Sequence, residues 1–170
     1  MRILGIDPGT GICGFGVIDV DIKNRGSMVT AGVITTPAHT PLADRLLDIY
    51  DSLREILEET RPDVVAIEKL FFNTNVTTGI SVAQARGVAM LVVRQKNITI
   101  FEYTPLQIKQ TLTGYGRAEK KQVQEMVRVH LKLKQAPKPD DAADALAVAI
   151  TYALTRGEES CFLSGRLLRT

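Results

Sequence analysis

Histidine and cysteine are scarce in this 170-residue chain, with two of each. Cys13 and Cys161 fall in no C-x-x-C or zinc spacing and read as reduced thiols, so cysteine carries no functional argument. His39 and His130 are equally isolated, which removes histidine-rich zinc chemistry and a serine or cysteine triad. Long hydrophobic runs are also missing. The longest, such as Val88 to Val93, are far too short to span a bilayer. The N-terminus enters a strand pattern at once, without the charged, apolar and small-residue regions of a secretory leader. A soluble cytoplasmic protein is expected, with no membrane association. Its chemistry must come from carboxylates and lysines.

There is no internal repeat and no low-complexity segment. The length suits one domain that buries a full core, and 45% hydrophobic with 24% charged residues is a globular composition. The net charge of +2 hides an asymmetry. Between Pro105 and Lys138 stand eight basic residues, among them Lys109, Arg117, Lys120 and Lys121, against Glu119 and Glu125. That segment carries +6, and the rest of the chain therefore −4. Positive charge gathered into about one fifth of a chain suits a polyanion such as nucleic acid; a solvated helix face accounts for the same lysines.

Three strands are expected in the first forty residues, Arg2 to Asp7, Gly14 to Asp21 and Met28 to Thr36, joined by turns too short for helical crossovers. Thr40-Pro41 starts a helix whose Leu42, Leu46, Ile49, Leu53, Ile56 and Leu57 follow helical spacing. Asp63 to Glu68 reads as a strand buried on both faces. A helix from Gly79 to Gln95, a strand from Ile98 to Tyr103 and helices over Pro105 to Gly114, Ala118 to Leu133 and Asp141 to Thr155 follow. This order predicts an α/β fold, a mixed sheet antiparallel at one edge and parallel at the other, with helices on both faces. Residues 156–170 lack periodicity and are expected to form a mobile tail behind a domain of residues 1–155.

Four carboxylates sit at the edges of apolar segments. Asp7 ends Ile3-Leu4-Gly5-Ile6, Glu68 ends Val64-Val65-Ala66-Ile67, and Asp141 and Asp144 open the last helix. Their i, i+3 spacing puts the last two on one helix face, although acids at a helix start also serve simply to stabilise it, with Asp140 as the cap. If the acids converge they cannot all stay ionised without a cation, and a divalent metal is the natural occupant. Gly9-Thr-Gly11-Ile-Cys-Gly14 matches G-x-G-x-x-G, but a strand rather than a helix follows, so no dinucleotide site is expected. The glycines let the chain turn tightly near Asp7. Asp7-Pro-Gly9-Thr10 also resembles the phosphate loop of actin-like and sugar-kinase ATPases, of which one such chain supplies half.

The segments Gly5-Ile-Asp7-Pro-Gly9, Ala66-Ile-Glu68-Lys-Leu-Phe71, Gln84-Ala-Arg-Gly-Val-Ala89, Phe101-Glu-Tyr103, Val123-Gln-Glu-Met-Val-Arg128 and Asp141-Ala-Ala-Asp-Ala-Leu-Ala147 together resemble the RuvC crossover-junction endonucleases, resolvases of Holliday junctions in recombination and repair. The similarity runs from the first strand to about Ala153. The resemblance implies a ribonuclease-H-like fold with three antiparallel and two parallel strands, a homodimer, and four-way DNA as substrate. It also implies a branch-migration motor complex as partner. It implies a nuclease centre of Asp7, Glu68, Asp141 and Asp144 holding two Mg²⁺ ions, with Mn²⁺ as a substitute. The family's DNA-contacting lysines would fall on Lys109 and Lys120 and its aromatic beside the glutamate on Phe71, with Arg117 and Lys121 as further candidate DNA contacts; Phe71 is expected either to stack on an unpaired base or to pack in the core. Asp140 beside Asp141 and Lys121 beside Lys120 leave two registers open by one position. A junction-binding module that never cleaves is the main alternative. The small residues Ala83, Ala85, Gly87 and Ala89 allow close helix approach, either to the chain's own sheet or to a second copy related by twofold symmetry.

Overall fold

Strands buried on both faces explain the unbroken apolar runs. The computed structural model describes residues 1–23, 25–70 and 76–156, without the side chains of 76–78. Five strands, β1 (Arg2–Asp7), β2 (Ile12–Val20), β3 (Gly26–Thr35), β4 (Val64–Glu68) and β5 (Thr99–Tyr103), form one sheet in the order β3-β2-β1-β4-β5. β1 pairs antiparallel with β2, and β2 with β3, whereas β1–β4 and β4–β5 are parallel. The expected mixed sheet is therefore present. β1, at its centre, is where the two pairing modes meet.

Helices α1 (Leu42–Thr60) and α2 (Val76–Gln95) cover one face, and α3 (Pro105–Thr113), α4 (Lys120–His130) and α5 (Asp140–Thr155) the other. Successive strand residues point to opposite faces. Leu4, Ile6, Val65 and Ile67 accordingly pack with Ile49, Leu53 and Leu57 of α1 and Val92 of α2. Ile3, Val64 and Ala66 pack with Ile108, Val123 and Leu146 on the opposite side. α5 is apolar nearly all round, which suits a helix laid across the sheet and covered in turn by α3 and α4.

Element ends moved by a few residues from their expected positions. Hairpin pairing extends β2 back to Ile12, which lies opposite Thr35. α2 begins at Val76 rather than Gly79. Pro41 lies at the N-cap of α1 and not inside its first turn. α4 starts later than expected because the Gln122 side chain accepts a hydrogen bond from the Glu119 N–H at 2.8 Å, fixing the first turn there. No described helix is long and apolar enough to cross a membrane. Residues 157–170, most of the expected tail, lie outside the described residues.

Candidate active site

Strand register brings the first two acids together. Ile6 lies opposite Ile67 in the parallel pair of β1 and β4, so Asp7 and Glu68 are the next residues out on adjacent strands, which run about 4.8 Å apart. By the alternation of side chains, Asp7 shares a face with Ile3, and Glu68 with Val64 and Ala66. That is the face covered by α5.

The other two acids arrive on α5, and glycines decide how closely. A Cβ added to Gly14 would lie 2.1 Å from the Asp141 carbonyl oxygen, and one on Gly5 would lie 2.0 Å from that of Ala145. Only residues without side chains let the helix backbone rest directly on the strands. Gly14 pairs with Asp7 across the β1–β2 ladder, so the first turn of α5 sits above the end of β1. Asp140, expected to cap α5, does not: Pro139 occupies the N-cap with no side-chain hydrogen bond, and Asp140 opens the first turn, its side chain 61% exposed. Asp144 lies a turn beyond the helix start, where the helix dipole helps a carboxylate less, and a lysine compensates.

The convergence is electrostatic. Burial, followed by the nearby charges of Glu68, Asp144 and Asp141, pushes Asp7 up to about 8. Burial and the charge of Asp144 push Glu68 up to about 7, against the pull of Lys109 and Lys120. Burial also raises Asp144, a shift opposed by its bond to Lys120. Lys120 Nζ lies 2.9 Å from Asp144 and 3.7 Å from Asp140, and the Asp144 hydrogen bond raises the lysine in turn. Asp141 acts on both Asp7 and Asp144, Asp140 on Asp144 but not on Asp7, and Asp141 is half-buried where Asp140 is exposed.

These acids do not form a closed ligand cage. Among the described residues no three His, Cys, Asp or Glu groups are drawn to metal-ligating spacing. Lys120 serves as a counter-ion to Asp144 and, at longer range, Asp140. The donor set nevertheless fits a hard divalent cation such as Mg²⁺, since every donor is a carboxylate oxygen, and the raised Asp7 and Glu68 mark a site short of positive charge.

A cavity of about 260 Å³ opens beside the acids, lined by Glu68, Lys109, Lys120, Asp144 and the apolar Ile108 and Val123. Local sequence fixes both lysines. Thr104 and Gln107 form a capping box ahead of Lys109, with Pro105 in the first turn, while Lys120 is the first residue of α4. Arg117 and Lys121 are exposed and do not line this cavity, so of the doubled lysines it is Lys120 that meets the acids. Phe71 lies outside the described residues. One residue escaped the sequence reading: Arg86, which donates from Nε to the Glu68 backbone carbonyl at 3.2 Å. The available signal was a pair of opposite charges, Arg86 and Glu102, each set among apolar or small neighbours.

Comparison with known proteins agrees with this architecture. The family model for crossover junction endodeoxyribonuclease RuvC matches residues 3–152. A RuvC from Heliobacterium modesticaldum is 55% identical over 159 residues, covering 92% of this chain and 98% of that protein. One from Brevibacillus brevis is 53% identical over 156 residues, covering 92% and 93%. The structure of Thermus thermophilus RuvC superposes with a TM-score of 0.86 at 35% identity, over 92% of this chain and 96% of that one. The same protein in complex with a Holliday junction substrate gives 0.87 at 35% identity, over 92% and 94%. With a ribonuclease-H-like sheet, its acids at the adjoining ends of two parallel strands and a match along nearly its whole length, the chain belongs to the RuvC family of crossover junction endodeoxyribonucleases.

Proposed function

We propose that Asp7, Glu68, Asp141 and Asp144 are the hydrolytic centre with which this endonuclease cuts two symmetric strands of a four-way DNA junction. The observation that carries this reading is that Asp7 and Glu68 end adjacent parallel strands on the face where the first turns of α5, bearing Asp141 and Asp144, rest on the sheet. Two Mg²⁺ ions, or Mn²⁺ in their place, would supply Lewis acidity and a nucleophile active at neutral pH. Asp7 and Glu68 from the strands and Asp141 and Asp144 from α5 are the residues that would hold the ions. Burial and the neighbouring acids raise Asp7 and Glu68, so a bound cation would favour their ionised forms. Lys109 and Lys120 line the cavity and would orient the scissile strand by its phosphates, a positional task without sequence information. Exposed Arg117 and Lys121 extend the positive surface outward along the DNA.

A junction offers two equivalent strands, and a C₂ dimer offers two equivalent centres. The α2 face bearing Ile80, Gln84, Gly87 and Leu91 supports such a dimer: all four are exposed, with Ile80 at 55% and Leu91 at 56%. Ala85 and Ala89, by contrast, are buried against the chain's own sheet. A branch-migration motor as partner rests on the family resemblance.

The test is nicking of a synthetic mobile junction with and without Mg²⁺. Asp7→Asn and Glu68→Gln should abolish cleavage while both variants still bind the junction in the absence of divalent ions. Either variant cutting at the wild-type rate would overturn the assignment.

A further inference from the structure

The end of β4 is where Glu68 is most easily lost from position. Its pairing with β1 stops at Ile6 opposite Ile67, and on the other side the last ladder contact is the Lys69 N–H donating to the Tyr103 carbonyl at 2.7 Å. Strand ends fray when their backbone groups lack fixed partners. Here the Glu68 carbonyl accepts a hydrogen bond from Arg86 Nε of α2 at 3.2 Å. The same guanidinium is hydrogen-bonded through its terminal nitrogen to the Glu102 carboxylate on β5, and Glu102 lies opposite Ile67 in the β4–β5 ladder. One planar group thus joins α2, β5 and the last residue of β4.

Stability alone is a poor reason for this arrangement. The Arg86 and Glu102 side chains are only 19% and 28% exposed, and an ion pair taken that far from water gives back in desolvation much of what it gains in attraction. What it does secure is geometry. The guanidinium fork presents donors in fixed directions, one on a carboxylate held by the sheet and one on the carbonyl of the residue whose carboxylate belongs to the acid cluster. We infer that Arg86 is a positioning residue for Glu68: anchored by Glu102, it holds the end of β4 so that the Glu68 carboxylate meets Asp7 and the α5 acids. This rests on the assignment of Glu68 to the hydrolytic centre.

The test uses the full-length protein, with two readouts: single-turnover cleavage of a mobile junction at saturating Mg²⁺, and the Mg²⁺ concentration at half of the metal-induced rise in melting temperature. A misplacement near 1 Å costs on the order of 100-fold in rate. Arg86→Gln should therefore lower the saturating rate about 10- to 100-fold and move the Mg²⁺ midpoint upward, with junction binding in the absence of divalent ions unchanged. Arg86→Lys retains a charge for Glu102 but loses the fork, and should recover melting temperature without recovering rate. Glu102→Gln, which leaves the carbonyl bond in place, should cost less rate than Arg86→Gln. It decides the matter with Arg86→Lys if Arg86→Gln does not fold. Lys96→Gln, which removes a solvent-exposed 2.8 Å pair between the residue after α2 and Glu58 of α1, should change neither readout. A folded Arg86→Gln protein with wild-type rate and Mg²⁺ midpoint overturns the inference. So does full recovery of rate by Arg86→Lys, because the charge pair alone would then suffice. Glu68→Gln in parallel separates the two levels: if it keeps the wild-type Mg²⁺ response, the acid assignment fails, whereas loss there beside an unaffected Arg86→Gln condemns only the role of Arg86.

Discussion

Replacing Asp7 by asparagine should make the metal-free protein more stable at alkaline pH, while abolishing its activity. Asp7 rises from 3.8 to about 8, first through burial and then through the charges of Glu68, Asp144 and Asp141. A carboxyl whose folded-state pKa exceeds its unfolded value binds its proton more tightly when folded. It therefore favours folding fully below about pH 4, and that contribution is lost as pH climbs through the interval to about 8. At roughly 1.4 kcal/mol per unit, a gap of about four units caps the loss near 5 kcal/mol. Part of it is shared with Glu68, which titrates against the same neighbours, so an effect on the order of 2–3 kcal/mol is expected from Asp7 alone. Asparagine keeps the shape and removes the charge. In urea unfolding with a chelator present, Asp7→Asn should match the wild type below about pH 4 and exceed it by on the order of 2–3 kcal/mol at pH 8. Mg²⁺ should then narrow the gap by stabilising the wild type more than the variant. Unfolding midpoints of the two proteins that stay parallel at every pH would refute the reasoning, since Asp7 would then not be the strained group.

Gly14→Ala should push α5 off the sheet. Its Cβ would lie 2.1 Å from the Asp141 carbonyl oxygen where ordinary contact needs about 3.4 Å, a displacement of about 1.3 Å by difference. We expect a loss of about 1–3 kcal/mol in urea unfolding and on the order of 100-fold in single-turnover rate; near-wild-type values of both would show that the helix seat is loose. Lys109→Ala should flatten the dependence of log affinity on log salt for a four-way junction by about 0.9, one phosphate contact, and Lys121→Ala should do the same only if the DNA path extends past the cavity. An unchanged slope for Lys109→Ala removes it from the phosphate path. If the proposed dimer forms through the exposed face of α2, Leu91→Lys places a charge in it and should shift sedimentation from dimer to monomer at micromolar concentration with the melting temperature of the monomer unaltered. A variant that stays dimeric would move the interface elsewhere.

The strands and helices were legible because their apolar periodicity is strong: β4 reads as five successive buried or nearly buried residues, and α1 buries Ile49, Leu53 and Leu57 at helical spacing. The acids were legible as charges at the ends of such segments. What the sequence could not show was which side of each residue met which neighbour. Asp140 and Asp141 differ by one step, about 100° around a helix, and only the seating of α5 on β1 and β2 leaves Asp140 exposed and Asp141 half-buried. That seating depends on Gly5 and Gly14, two strand glycines whose role lies in what approaches them. Arg86 was opaque for a related reason, since its partners Glu68 and Glu102 come from two other elements, 18 and 16 residues away.

The centre divides between two rigid bodies: the sheet carries Asp7 and Glu68, and α5 carries Asp141 and Asp144. Packing α5 down on Gly5 and Gly14 brings the two pairs of like charges toward each other, so the contact that completes the core also concentrates repulsion at one end of it. The apolar seam between α5 and the sheet, with Ala145, Leu146 and Ala149 fully or almost fully buried, must outweigh that repulsion, and Lys120 relieves part of it by reaching across from α4 to Asp144. A cation bound between the two bodies would relieve the remainder. Metal binding and closure of α5 onto the sheet are then coupled in free energy, and the coupling is reciprocal: whatever loosens the seat of α5 must weaken cation affinity, even where it leaves all four carboxylates in place. The charge that strains the fold is for that reason the charge that would hold the cation.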